Sequence, residues 1–95
     1  MTTRITSKFL RAQIRNLNRL VGKTDDIYTL DENGRVTGGI PGTYCLSGAY
    51  GGWALHRMSD NGSTGVHDVF SSGHIGARDL SNRISALMYG MEAVK

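Results

Sequence analysis

The sequence is poor in several things at once. It has one cysteine, Cys45, in 95 residues, so no disulfide can form within the chain and a reducing compartment is the natural setting. It has one proline, Pro41, so no proline-rich linker is available. No apolar run approaches the length that spans a bilayer, and polar Met1–Arg4 is followed by no apolar segment of a secretory signal. Acid is missing from residues 1–24, which carry Arg4, Lys8, Arg11, Arg15, Arg19 and Lys23; all eight acidic residues lie further on. The net charge of +3 therefore conceals a segregation, and segregated charge says more about contacts than the total does.

Glycine is what the chain has in excess. Its 13 glycines are almost twice the usual share of about 7%. They fall in the middle and late chain without a repeat, as turn and bulge residues do. The length fits one domain over residues 1–95, with a thin core that buries roughly 60% of the unfolded surface. Such a domain gains from a partner or from self-association, so a homo-oligomer is one expectation.

Two stretches have helical periodicity. Thr6 or Ser7 can cap a helix over 6–21, with Leu10, Ile14, Leu17 and Val21 on one face and Gly22 at its end. Lys8, Arg11, Arg15 and Arg19 lie on an adjoining flank. A second helix over 77–91 carries Leu80, Ile84, Leu87, Met88 and Met91. Between them, short strands are expected at about 43–47, 53–58 and 66–70. Ile27–Leu30 reads as a short extended piece, and Val36–Gly42 as irregular. Asp31-Glu32-Asn33-Gly34 reads as a tight turn, with Asn33-Gly34 at positive φ. Gly48–Gly52 and Asp60-Asn61-Gly62 read as further turns. The expected fold is α+β: α-β-β-β-α, a three-stranded antiparallel sheet with both helices packed on one face. Trp53, Leu55 and Arg57 should share one face of the middle strand, and Ala54, His56 and Met58 the other.

No metal-ligand spacing and no phosphate-loop pattern occurs, so no metal, cofactor or catalytic group is assigned. His56 and His67 could face one another across neighbouring strands, and a dyad of Cys45 with either can be drawn. Surface histidines and a half-buried thiol are the plainer reading. Ser72–Gly76 leads into the second helix, where His74 and Arg78 could assist at an anion. The strongest surface feature is the basic row, which suits nucleic-acid phosphate or an acidic protein surface; a solvated face with no partner is the plainer alternative. Lys8, Arg11, Arg15, Arg19, His74 and Arg78 are the candidate contact residues. Tyr50, Trp53, Arg57 and His67 are candidates for an interface on the open sheet face, though for Trp53, which shares its face with Leu55, partial burial against the core is the plainer reading.

The order helix, three strands, helix is similar to a double-stranded-RNA-binding domain, which implies a basic first helix against the duplex. The lysine cluster that opens the second helix of that family is replaced here by Gly76-Ala77-Arg78-Asp79. The segment from Gly42 to Arg57 resembles a group of small phage and prophage proteins with the pattern G-x-Y-x-L-x-x-A-Y-G-G-x-x-L-x-R. Gly65-Val66-His67-Asp68-Val69 and the apolar helix Ala77–Met91 extend the likeness. It implies a viral accessory protein acting in the cytoplasm of a bacterial host. The expectation is a non-enzymatic binding protein with nucleic acid as partner. A host or phage protein is the alternative, as for an inhibitor of a host enzyme or defence complex; a third is a nucleotide-sequestering oligomer.

Overall fold

The computed structural model describes residues 5–24, 26, 28–60 and 65–93. The fold is α+β, with two helices and antiparallel strands in two small sheets. Helix α1 spans Ser7–Leu20. Its cap is Thr6, whose Oγ1 accepts the Phe9 N–H at 3.1 Å. Gly22, at φ 77°, follows Val21 and turns the chain out of the helix. Strands β1 (Tyr28–Leu30) and β2 (Val36–Gly39) form a hairpin of their own. Strands β3 (Tyr44–Ala49), β4 (Gly52–Met58) and β5 (Val66–Asp68) make the main sheet, in that order. Helix α2 spans Ala77–Ala93.

The main sheet and both helices stand where the periodicities put them, except that the strand expected over 66–70 ends at Asp68, whose carboxylate takes the Phe70 and Gly73 N–H groups and turns the chain out of the ladder. The expected helix 6–21 is realised with Thr6 as its cap, and 77–91 runs two residues further. The turn expected over Gly48–Gly52 is tighter than that: Ala49 pairs with Gly52, leaving Tyr50 and Gly51 as a two-residue loop. Both have positive φ, 55° and 73°, the mark of a type I′ turn. Met1–Arg4 and the Asn61-Gly62 turn lie outside the described residues.

Residues 36–42 are not irregular throughout. Val36–Gly39 is a strand that pairs with Tyr28–Leu30. Glycine hides it in the sequence, because Gly38 and Gly39 supply backbone to the ladder and no apolar alternation. The Asp31–Gly34 turn also differs from expectation. Only Gly34 takes positive φ (79°), and Asp31 Oδ1 accepts the N–H groups of Asn33 and Arg35 at 2.9 Å each. Together with the Asp31 N–H to Arg35 C=O bond, this makes a three-residue loop closed by a glycine bulge.

The core lies between the helices and the β3–β4 face. Leu10, Ile14 and Leu17 of α1 and Leu80 and Ile84 of α2 meet Tyr44 and Leu55. Leu46 and Trp53 pack against this cluster at its rim. Trp53 sits across from Gly48 in the ladder, and a methyl on Gly48 would come within 2.7 Å of the indole. Glycine at 48 is therefore the seat of the tryptophan ring.

Candidate functional site

Two surfaces carry chemistry, on opposite sides of the sheet. The first is the flank of α1 beside β3. Leu10, Ile14 and Leu17 fix which side of the helix is buried, and Asn18 fixes its rotation. Asn18 is buried, and its side chain bonds the backbone of Tyr44 twice. Its Nδ2 donates to the carbonyl at 3.0 Å and its Oδ1 accepts the N–H at 2.8 Å. These bonds clamp the start of an edge strand to the helix.

Lys8, Arg11, Arg15 and Arg19 are then all exposed along the outer flank. Among the described residues Lys8, Arg11 and Arg19 have no ion-pair partner. The row borders two grooves that meet at Arg11. One, of about 310 Å³, is lined by Arg11, Ile14, Arg15, Asn18, Tyr44 and Leu46, with Cys45. The other, of about 450 Å³, runs on past Gly48 and Ala49 to Gly52 and Trp53.

The six candidate contact residues are not brought together. Gln13 marks the opposite flank of α1, where its Nε2 donates to Ser81 C=O at 3.0 Å and bonds Ser85 Oγ at 2.7 Å. At 3.6 residues per turn the four cations stand roughly 120–160° around the helix from Gln13. The body of α1 thus separates the row from α2 and from exposed Arg78. His74 turns to the other side of the sheet.

That other side is the second surface. Ile75 adds a bridge to the edge of β4, exchanging both backbone bonds with Trp53 at 2.7 and 2.8 Å. His74 next to it therefore points away from the helices, and its Nε2 lies 3.0 Å from Ser47 Oγ. Its ring stands edge-on to His56 (centroids 6.2 Å) and to Tyr50 (5.7 Å). Gly52 permits the close crossing, since a Cβ there would lie 3.0 Å from the His74 carbonyl carbon and the Ile75 oxygen.

Cys45 is the cross-strand neighbour of His56, so one of the two drawn dyads has the right register. Burial pushes the Cys45 thiol above its ordinary range, which keeps it protonated at neutral pH and weakens it as a nucleophile. His67 does not face His56. It pairs with Arg57, and His56 pairs with Asp68, because adjacent residues of a strand alternate in face. The Asp68 carboxylate is engaged by the Gly73 N–H at 2.9 Å and the Phe70 N–H at 3.3 Å, which hold the loop that carries His74. A hydroxyl and an imidazole thus meet at Ser47 and His74, a contact that no local pattern signals. Among the described residues no three His, Cys, Asp or Glu side chains gather as a metal would need.

The four interface candidates divide as well. Tyr50 is 97% exposed at the tip of its turn. Trp53 is half-buried on the helix side, against the core, and not on the open face. Arg57 and His67 share the helix-side face with it by register, around a groove of about 400 Å³. Arg57 meets Asp60 at 2.9 Å, and this hydrogen bond raises the guanidinium and holds the Asp60 carboxyl below its usual range.

No helix of the described chain is long and apolar enough to cross a membrane. In comparisons with known proteins, no family model, no curated protein and no solved structure matches this chain.

Proposed function

We propose that this is a non-enzymatic binding domain that engages the phosphate backbone of nucleic acid through α1. One observation carries this reading: Lys8, Arg11, Arg15 and Arg19 stand exposed on one flank of a helix that contains no acid. From the first to the last the row covers about 16 Å of helix axis. A row of that length, set beside a phosphate backbone, neutralises several charges at once and releases their counterions. The resemblance to phage and prophage proteins supports a ligand met inside a bacterial cell. Arg78 and His74 stand apart from this surface and are not part of it.

The test is a fluorescence-anisotropy titration of single- and double-stranded DNA and RNA across a salt series. Affinity should fall steeply with salt. Each of Lys8→Glu and Arg11→Glu should weaken binding to all sequences alike and reduce the log–log salt slope by about 0.7–0.9. Binding that is absent, or indifferent to salt, for all four ligands would overturn the proposal.

A further inference from the structure

Among the described elements, the β1–β2 hairpin has least to hold it. Its strands are three and four residues long; among the described residues they pair with each other and with no further strand, and only the base of the hairpin, at Gly39, is buried. A two-stranded hairpin alone in water is marginal. Leu30 and Val36 pair across its ladder and are 60% and 50% exposed, so its apolar face is uncovered. Thr29 and Thr37 hold the other face through hydroxyls 2.8 Å apart. The hairpin tip carries exposed Asp31, Glu32 and Arg35; the Asp31 carboxylate is taken by the loop's own N–H groups, which leaves Glu32 as the acid the tip presents outward.

The β3 edge has the complementary needs. Tyr44 turns its N–H and C=O outward, where Asn18 takes both. By the alternation of an antiparallel ladder, Leu46 and Gly48 turn theirs outward too. These groups front the two grooves, whose floor includes Ile14 and Leu46 and whose rim is Arg11.

The chain's own β2 cannot take this edge. A hairpin closed through the Ile40–Thr43 turn would pair β2 with the backbone groups of Thr43 and Cys45. The Thr43 N–H closes that turn on the Ile40 C=O, but the Thr43 C=O accepts the Met58 N–H and Cys45 pairs with His56, so the ladder beyond the turn is already committed to β4. Two β3 edges paired with each other would set two basic rows side by side. A hairpin from another copy, which presents Glu32 at its tip, meets neither obstacle.

We infer that two copies of this chain exchange hairpins. The β2 strand of each adds antiparallel to the β3 edge of the other at Leu46–Gly48. Leu30 and Val36 cover the groove, and Glu32 at the tip meets Arg11. The exchange is reciprocal, so it closes as a two-fold dimer and does not propagate. It goes beyond the nucleic-acid reading, and it sets the two in competition, because the tip and a phosphate would both claim Arg11.

Sedimentation equilibrium over a range of concentrations tests it, with circular dichroism confirming that each variant is folded. The native chain should dimerise, more weakly as salt rises. Leu30→Asp and Arg11→Glu should each weaken the dimer roughly tenfold or more. Combining Arg11→Glu with Glu32→Arg should recover most of that loss. A native chain that stays monomeric at several hundred micromolar, or a dimer indifferent to all three substitutions, would overturn the exchange. Leu30→Asp leaves the α1 row untouched and should still bind nucleic acid. Failure of the dimer and failure of the nucleic-acid reading are thus read from separate measurements.

Discussion

Asn18 is the residue on which the geometry of the basic flank turns. It is a polar side chain in the buried stripe of α1, and its two bonds to Tyr44 set the helix against an edge strand. Asn18→Ala would leave a buried N–H and a buried C=O without partners. The expected cost is about 2–4 kcal/mol, measured by urea unfolding. A change under about 0.5 kcal/mol would show that water replaces the amide. Position 18 reads in the sequence as a polar residue beside the stripe, and nothing local reveals its partner, 26 residues away. The same holds for Ser47 and His74, which are brought into contact by the crossing of the 69–76 segment. Cys45 was legible as a half-buried strand thiol, and its raised pKa follows from that burial.

At the scale of elements, periodicity carried most of the information. The apolar spacing of α1 and α2 gave their extents to within two residues, because a helix buries one face and the pattern records which. The hairpins were less legible. Asn33-Gly34 has the composition of a type I′ turn, yet the Asp31 carboxylate draws the chain into a three-residue loop. Tyr50-Gly51 lacks that composition and adopts the type I′ turn, because the β3–β4 register leaves two residues to close it. Tyrosine at φ 55° is strained, and at 97% exposure its ring gains little in return. Tyr50→Asn should therefore raise stability by about 1 kcal/mol, read as an increase in urea midpoint with an unchanged slope. A loss of stability would mean that the Tyr50–His74 ring contact outweighs the strain.

Viewed whole, the molecule is drawn out. Its radius of gyration is 14.0 Å, against roughly 12 Å for a compact chain of this length, and its extents are 49 × 35 × 22 Å. A separate two-stranded hairpin, mostly exposed, beside a packed α+β body implies uneven local stability. Amide hydrogen exchange should find the β3–β4 ladder at Cys45, Ser47, Ala54 and His56 the most protected. In dilute protein the β1–β2 amides should exchange far faster. On hairpin exchange they gain protection as concentration rises, whereas hairpin amides as protected as the β3–β4 ladder at every concentration would show that the monomer alone stabilises the arm.

The sequence by itself determined the class, the two helices, the central ladder and the segregation of positive charge into the first helix. Each of these is set by residues close together in the chain, through period, turn chemistry or composition. Tertiary structure alone decided which flank of α1 the cations occupy, that they stand apart from Arg78, and that His74 joins Ser47 and His56. It also left β3 as an edge and set β1–β2 outside the core. Such outcomes depend on which strand parity faces which neighbour and on where backbone can cross a glycine. Those are relations between segments 25 to 70 residues apart, and no local pattern encodes them.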